Sequence, residues 1–211
     1  VAFDANDVVT VAGGSAVDTI KSMPTVINTI DGSGGADLIT LASGADKLVY
    51  DGATDGGATG DVVTAFTTGT DTISIADALT QDGTGAGAAI VKAVGNADAA
   101  TALTLAAADV ILLGKTANAN AVDGSSASIS VTAANLGTVA DIIALVNDQM
   151  NLTASGAVDT TVIAVESSDV TGSFGLYHWT PSSTGDAALT AGEVTILGIY
   201  SGDGIAAGDF L

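Results

Sequence analysis

Aspartates recur every nine residues in the first part of the chain, and this period constrains the fold more than any other feature of the sequence. The residues in this register are Asn28, Asp37, Asp46 and Asp55. A glycine precedes two of the aspartates by two residues, at Gly35 and Gly44. Two residues after the polar position stands an aliphatic residue, at Ile30, Ile39 and Leu48. A fixed period dictates architecture, because each repeat packs against its neighbours.

This period predicts a parallel β-roll. The Gly-rich half of each unit turns the chain through backbone angles that a side chain would obstruct, and the aliphatic residue points into the core from a short strand. Two units complete one coil, so residues 18 apart should stack about 4.8 Å from each other. We therefore expect Asn28 to lie over Asp46, and Asp37 over Asp55. Carboxylates this close repel one another, and Ca²⁺ would remove the repulsion because it binds six to eight carboxylate and carbonyl oxygens.

Two segments also resemble a known family. Residues 32–40, Gly-Ser-Gly-Gly-Ala-Asp-Leu-Ile-Thr, resemble the calcium-binding nonapeptide of RTX proteins, and residues 41–49 form a degenerate copy. Residues 60–75 resemble the D-x-I-x-x-F-x-x-G-x-D-x-I-x-L segment that follows these repeats in serralysin-like and other type I secreted proteins. The resemblance covers about residues 28–79, roughly a quarter of the chain. One departure from the repeat is Ser33, which stands in place of a glycine.

The repeat and the resemblance together predict a Ca²⁺ site. Its candidate ligands are the carboxylates and turn carbonyls of Gly32, Gly34, Gly35, Asp37, Gly44, Asp46 and Asp55. Within this set, Asp37 and Asp46 are expected to supply the principal carboxylates. The alternative is a metal-free solenoid whose aspartates only cap turns, and Lys47, next to Asp46, favours that alternative at its own turn.

The charge of the chain excludes several kinds of partner. It has 24 acidic residues against 4 basic ones, for a formal net charge of −20. Nucleic acids and anionic membranes are held mainly by Lys and Arg, so neither is a predicted partner. No apolar run reaches the about 18 residues of a membrane-spanning helix, so membrane insertion is not expected either. Cysteine is absent, which excludes disulfides and thiolate metal sites, whereas the 47% apolar content predicts a packed core.

Beyond the repeat, the sequence predicts strands and one helix. Strands are predicted at 110–113, 127–131, 161–165, 175–179 and 194–200, the last three in an antiparallel sheet. An amphipathic helix near 138–150, capped by Thr138, is indicated by apolar residues at helical spacing, which are Val139, Ile142, Ile143, Val146 and Met150. We expect this helix to pack against the sheet.

The predicted fold is therefore mainly β and has two regions. Residues 1–80 are expected to form a short parallel, RTX-like β-roll of degenerate repeats with the segment that follows them. Residues 81–211 are expected to form a β-rich C-terminal region with the one amphipathic helix. The chain begins at Val1 without Met, so we expect a fragment or a processed product.

Catalytic constellations are sparse, and we predict a protein without enzymatic activity. His178 is the only histidine, and no Gly-x-Ser-x-Gly occurs to provide a nucleophile, so a structural role is expected for it. Glu193 ends a segment with acids at both ends, as in a helix-loop calcium site, but the intermediate ligands are missing and a hairpin loop is favoured. Tyr177, Trp179 and Tyr200 would form a platform for a cell-surface polysaccharide if exposed, although core packing is favoured.

The last six residues, Ala-Ala-Gly-Asp-Phe-Leu at 206–211, resemble the uncleaved C-terminal signal of type I secreted proteins. This resemblance implies export by type I secretion machinery, in an unfolded state, and folding outside the cell in calcium. Removal of residues 208–211 is expected to reduce export and to leave the fold largely intact, because terminal residues usually make few contacts.

These features support one principal functional hypothesis and leave two alternatives. The first is an extracellular or cell-surface structural protein, stabilised by calcium, that binds copies of itself in a surface layer or filament. The alternative is the C-terminal secretion and folding module of a larger secreted hydrolase or adhesin. A third interpretation, a carbohydrate-binding module, requires the strand aromatics to be exposed.

Overall fold

The protein is mainly β. The computed structural model describes Asp4 and residues 6–80, 91–94, 102–104, 110–113, 130–149, 151–153, 159–183 and 188–211. Within these ranges, no helix is both long and apolar enough to span a bilayer. Most of the strand predicted at 127–131 lies outside the described residues, and residues 130 and 131 are not in a strand.

The described residues form fourteen strands and one α-helix, α1 (Val139–Gln149). The strands are β1 (Val8–Ala12), β2 (Thr19–Lys21), β3 (Ile27–Asp31), β4 (Leu38–Thr40), β5 (Lys47–Tyr50), β6 (Asp61–Phe66), β7 (Thr72–Ile75), β8 (Val91–Val94), β9 (Ala102–Thr104), β10 (Val110–Leu113), β11 (Asn151–Thr153), β12 (Thr161–Glu166), β13 (Ser173–Trp179) and β14 (Val194–Gly202). β9 and β11 form a separate two-stranded sheet.

The first seven strands alternate between two sheets. β1, β3, β5 and β7 form a four-stranded parallel sheet, and β2, β4 and β6 begin an eight-stranded sheet, also in parallel. Two consecutive strands therefore make one coil. The aliphatic residues of the repeat point into one core, with Ile20, Ile39 and Val63 from one sheet and Ile30, Leu48 and Ile73 from the other. Side chains alternate along each short strand, so one of these residues per strand is enough to fill the coil.

The predicted stacking is right for one pair of residues and wrong for the other. Asn28 contacts Asp46, which lies 18 residues later. Asp37 is paired with Asp61, 24 residues later, and not with Asp55. The reason is the long connection between β5 and β6, residues 51–60. It makes the coil that runs from β4 to β6 longer than two nine-residue units.

The eight-stranded sheet continues from the coil into the C-terminal part of the chain. Its order is β2-β4-β6-β14-β13-β12-β10-β8. β12, β13 and β14 pair antiparallel, as predicted, whereas β14 joins β6 in parallel and β10 joins both β8 and β12 in parallel. The predicted helix is confirmed at α1, which contacts β14. The parallel junctions unite strands that are distant in sequence, and no local pattern indicates them.

One apolar core includes residues from both sides of the predicted boundary at residue 80. Phe66 of β6 meets Phe174 of β13 edge to face, with ring centroids 5.5 Å apart. Tyr200 of β14 stacks on Phe174 at 4.4 Å. All three side chains are fully buried. A second core lies between α1 and the other side of the sheet, with Ile142 and Val146 from the helix.

The last residues close one end of the coil, and we refer to residues 203–211 as the C-terminal strap. Phe210 forms a parallel bridge with Ile73 of β7, and the N–H of Leu211 donates to Ile73 O at 2.9 Å. Asp209 is buried and accepts hydrogen bonds from Gly69 N (2.7 Å) and Thr68 Oγ1 (2.6 Å). The strap therefore covers the outer edge of β7.

The expectation that residues 208–211 make few contacts is wrong. Phe210 is 7% exposed and belongs to the main core, and Asp209 binds the turn between β6 and β7. Removing them would leave unpaired backbone groups on Gly69 and Ile73 and expose apolar surface.

We expect Phe210→Ala to lower the free energy of unfolding by about 3 kcal/mol, because it removes a buried aromatic ring. Leu211→Ala is the matched control, since Leu211 is 56% exposed and its loss should cost less than about 0.5 kcal/mol. Urea unfolding followed by tryptophan fluorescence measures both changes. Equal effects of the two substitutions would contradict the role of the strap.

Candidate cation site on the coil

The turns of the coil lie along two opposite edges. The turns at 13–18, 32–37 and 51–60 follow β1, β3 and β5, and we call their side the Gly-rich edge. The turns at 22–26, 41–46 and 67–71 follow β2, β4 and β6 on the opposite edge.

The predicted calcium ligands are divided between these edges. Gly32, Gly34, Gly35, Asp37 and Asp55 lie on the Gly-rich edge, whereas Gly44 and Asp46 lie on the opposite edge. Asp37 and Asp46 are separated by strand β4, so they do not converge on one ion. The prediction that they share a site is wrong, because successive nine-residue units place their aspartates on alternate edges.

Three aspartates form a column along the Gly-rich edge, each at or just before the start of a strand. The N–H of Asp18 donates to Oδ1 of Asp37 at 2.8 Å. The N–H of Asp37 donates in turn to Oδ1 of Asp61 at 2.9 Å. We call Asp18, Asp37 and Asp61 the aspartate column. Each carboxylate thereby holds the neighbouring coil in register.

Asp37 has a carboxylate oxygen with no hydrogen-bond partner. The residue is 1% exposed, and no described residue donates to its Oδ2. A Cβ atom on Gly32 would lie 2.5 Å from Asp37 Oδ2 and 3.4 Å from Asp61 Oδ2. Both carboxylates thus approach the same point of the turn, where only glycine leaves room for them. A buried carboxylate oxygen in this state is costly unless a cation or a proton balances it.

The turn beside Asp37 has the backbone that the repeat predicts. Ser33 has φ 58° and Gly35 has φ 136°, both in the region that favours glycine. Ser33, which stands in place of a repeat glycine, is held there by hydrogen bonds from its N–H and Oγ to Asp31 Oδ1, at 2.7 and 3.2 Å. A Cβ on Gly35 would come within 2.5 Å of Ala16 O in the adjacent turn.

Burial and like charge disfavour ionisation of the aspartate column. Burial raises the pKa of Asp61 to about 7, and the negative charge of Asp37 adds to this effect. Burial is also the main cause that raises the pKa of Asp37, followed by the charges of Asp18 and Asp31. Near neutral pH, a proton or a cation that reduced the negative charge of the column would therefore stabilise the folded chain.

Asp61 also connects this edge to the core. Tyr50 makes a hydrogen bond to the Asp61 carboxylate, and Tyr200 OH donates to Tyr50 OH at 2.8 Å. Both tyrosines are fully buried. A Cβ on Gly198 would lie 2.6 Å from Tyr50 OH, so this glycine provides the space for the contact.

On the opposite edge, hydrogen bonds satisfy the equivalent aspartate. Asn28 Nδ2 donates to Asp46 Oδ1 at 2.6 Å, and Ser22 Oγ donates to Asp46 Oδ2 at 2.8 Å. The N–H of Asp46 donates to Asp71 Oδ1 at 2.9 Å. An amide and a hydroxyl thus already donate to both carboxylate oxygens of Asp46, and a cation would have to displace them. This edge fits the metal-free alternative.

Asp55 takes part in a local turn within the connection between β5 and β6. Its Oδ2 accepts the N–H groups of Asp51 and Gly52, each at 2.7 Å. Burial raises its pKa, with a smaller contribution from Asp51. Asp61 takes the position next to Asp37 that was predicted for Asp55.

Two members of the column, Asp18 and Asp61, were not among the predicted ligands, although the sequence contains a signal for each. Asp18 follows Gly13-Gly14 and precedes Thr19-Ile20, which repeats the glycine, aspartate and aliphatic order of Gly32 to Ile39. Asp61 follows Gly60 and precedes Val62-Val63. Both lie outside the nine-residue register, because the coils have unequal lengths.

The other candidate residues are internal. His178 is buried, its Nε2 has no partner among the described residues, and burial lowers its pKa to about 4. Tyr177, Trp179 and Tyr200 are also buried. Core packing of these aromatics is thus confirmed, and the carbohydrate platform is wrong.

Glu193 lies at the turn before β14 and anchors the connection from β13 to β14. Its carboxylate accepts hydrogen bonds from Ser182 N (2.8 Å) and Thr190 N (3.0 Å). Burial alone would raise its pKa, but these hydrogen bonds outweigh it and lower the pKa to about 2. The favoured hairpin is confirmed by the antiparallel pairing of β13 with β14, although residues 184–187 lie outside the described residues.

The donor atoms available at the Gly-rich edge are one or two carboxylates and the carbonyls of the turns. Across the described ranges, no three His, Cys, Asp or Glu side chains are grouped to hold a metal ion. A site at Asp37 would therefore combine one or two carboxylates with turn carbonyls, a donor set that Ca²⁺ accepts. No family model, curated protein or solved structure matches the chain.

Asp61 should make the calcium-free protein less stable as pH rises. Its pKa is raised by folding from 3.8 to about 7, so the folded state keeps the proton while the unfolded state loses it. The contribution of Asp61 to the free energy of unfolding is fully favourable below about pH 4. It is lost as the pH rises from roughly 4 to 7. One pKa unit corresponds to about 1.4 kcal/mol before screening by water, and we expect a loss on the order of 2 kcal/mol.

Asp61→Asn tests this expectation in excess chelator. The amide keeps an acceptor for Asp37 N–H and removes the charge of Asp61. Its thermal midpoint should match that of the unsubstituted protein near pH 4 and exceed it by several degrees at pH 8. The titration of His178 is common to both proteins and cancels. A difference that does not change with pH would rule out the charge of Asp61 as the cause.

Proposed function

We propose that this chain is an extracellular, calcium-stabilised structural protein that assembles with copies of itself into a surface layer or filament after type I secretion. Asp37 Oδ2, buried without a hydrogen bond and directed, like Asp61 Oδ2, at Gly32 of the turn, is the observation that carries the proposal. The folded state of a chain with such a buried carboxylate oxygen is stabilised most where a divalent cation is abundant.

The coil belongs to this proposal as a short RTX-type β-roll. Its support is the alternation of parallel strands between two sheets, with glycine turns and aspartates at the strand starts. In the cytosol, where calcium is scarce, the repulsion and burial of these aspartates would disfavour folding. Outside the cell, calcium binding would add its free energy to that of folding.

Asp37 and Asp61 would hold the ion, together with carbonyls of the turn that contains Gly32. The donor set fits Ca²⁺, because hard oxygen ligands and a flexible number of them are what this ion requires. The ion would supply positive charge between two carboxylates, which removes their repulsion and satisfies Asp37 Oδ2. It would thereby tie two consecutive coils together at their turns.

Calcium at about 10 mM should raise the thermal midpoint by roughly 5 °C over the value in EDTA, if the site has the sub-millimolar to millimolar affinity typical of extracellular modules. Asp37→Asn should abolish most of this increase, because it removes the carboxylate with the free oxygen. Calorimetry or circular dichroism measures the midpoints.

Asp46→Asn is the matched control for this experiment. It makes the same change on the opposite edge, where both carboxylate oxygens already accept hydrogen bonds. The increase in calcium should therefore persist in this variant. A midpoint that is the same in calcium and in EDTA for the unsubstituted protein would sink the calcium proposal and favour the metal-free solenoid.

Self-assembly has to overcome the charge of the chain. A net charge of −20 makes copies repel one another. Calcium can bridge carboxylates of neighbouring copies, and unpaired strand edges can add backbone hydrogen bonds. Monovalent salt screens the repulsion but coordinates nothing, so it should replace calcium only in part.

Light scattering should detect species larger than one chain in about 10 mM calcium. The same protein in EDTA with matched ionic strength should give a smaller mass, because the coordinating ion is missing. A single-chain mass in calcium at high protein concentration would contradict self-assembly.

The alternative function, a C-terminal secretion and folding module, has one specific observation in its favour. The core is less covered at the β1 end of the coil, where Val11 is half-buried, than one strand further in, where Ile30 is fully buried. Preceding residues of a larger protein could extend the coil there. The intact mass of the native secreted polypeptide decides between the two functions.

A further inference from the structure

We propose that the β1 end of the coil binds the same end of a second copy of this chain, with β1 and β2 each pairing antiparallel with its own counterpart. The inference deepens the self-assembly proposed above, because it names the surface and the geometry. Four observations support it: incomplete burial, free backbone edges, self-complementary sequence and the closure of the opposite end.

Burial decreases towards this end. Val8 on β1 is 62% exposed, and Val17, in the turn that follows, is 71% exposed. Val11 is half-buried although it points into the core, whereas its neighbour in register, Ile30 on β3, is fully buried. A second copy over this end would bury Val11 fully, in the same way that β1 and β5 on either side of β3 bury Ile30.

Among the described residues, both strands at this end present a free backbone edge. In the described part of the chain, β1 and β2 are the terminal strands of their sheets. The N–H of Gly13 donates to Asp31 O, and the N–H of Ser22 donates to Thr40 O. A parallel ladder uses alternate residues on each side, so the backbone groups directed outward are those of Val8, Thr10, Ala12, Thr19 and Lys21.

These edges are self-complementary. Antiparallel pairing of β1 about Thr10 places Val8 opposite Ala12 of the second copy, and β1 carries no charged residue or proline of the kind that blocks edge pairing. Pairing of β2 about Ile20 places Lys21 opposite Thr19 of the second copy, so no like charges face each other across the pair. A single two-fold axis perpendicular to the sheets relates both pairs.

The other end of the four-stranded sheet is closed. Phe210 bridges to Ile73, and Leu211 N–H occupies Ile73 O, so the C-terminal strap covers the edge of β7. Head-to-tail stacking of β1 on β7 is thereby blocked. A two-fold contact uses the same surface on both copies, so it leaves none of that surface free for a third copy. Association through the coil ends therefore stops at two copies, and further growth uses other surfaces.

Cross-linking tests this geometry directly, since the chain has no cysteine. In calcium, Thr10→Cys should give a covalent dimer with a short bismaleimide, because the two-fold axis brings Thr10 next to Thr10 of the second copy. Thr29→Cys, at the paired position on β3, is the matched control and should give about tenfold less dimer, since β3 is one strand removed from the axis. Labelling with a monofunctional maleimide checks that both thiols react.

Sedimentation of Thr10→Pro and Thr10→Ala tests the backbone pairing. Proline removes an outward N–H from each copy, so it should raise the dissociation constant about tenfold or more. Alanine keeps the N–H and should change the constant less than about twofold. The thermal midpoint of each variant in calcium shows whether it is folded.

The outcomes separate this interface from the proposed function. Assembly in calcium that is equally strong in Thr10→Pro, or equal cross-linking of Thr10→Cys and Thr29→Cys, would overturn the interface and leave calcium-dependent assembly standing. A folded single chain at high concentration would overturn the interface and the self-assembly together. A thermal midpoint that still rises in calcium would then leave only the stabilising role of the ion.

Discussion

The hydrogen bond from a backbone N–H to an aspartate of the next coil is the interaction on which this structure depends. Asp37 receives it from Asp18, and Asp61 receives it from Asp37. The bond sets the register of parallel strands only three residues long at β2 and β4, which could not hold it alone. Its consequence is a set of buried carboxylates along one edge, whose ionisation is disfavoured by burial and by their neighbours' like charge.

The two edges of the coil show how small differences in sequence change this consequence. On the opposite edge, Asn28 and Ser22 supply donors to Asp46, so its charge is balanced by hydrogen bonds. On the Gly-rich edge, the corresponding positions hold Asp18 and Gly13, and Asp37 Oδ2 has no donor. An amide and a hydroxyl, in place of a carboxylate and a glycine, therefore separate a turn with satisfied hydrogen bonds from one that we expect to require an ion.

Local sequence patterns predicted the structure well where residues that contact each other are also close in sequence. The nine-residue repeat predicted the short strands and Gly-rich turns, helical spacing predicted α1, and alternation predicted the hairpins of β12 to β14. The prediction failed for Asp55, because ten residues between β5 and β6 lengthen a coil without any change in the local pattern. It also failed for the last four residues, whose burial depends on β7, more than 130 residues earlier in the chain.

The sequence by itself determined the residue types of the site: glycine where the turn approaches a carboxylate, aspartate at or just before the start of β2, β4 and β6, and aliphatic residues inside the coil. Only the tertiary structure decided which aspartates face one another, because that depends on coil length and on the pairing of β6 with β14. The same pairing brings Tyr200 to Tyr50 and hence to Asp61. Backbone propensity acts over a few residues, whereas the burial that raises the pKa of Asp61 requires strands from both ends of the chain.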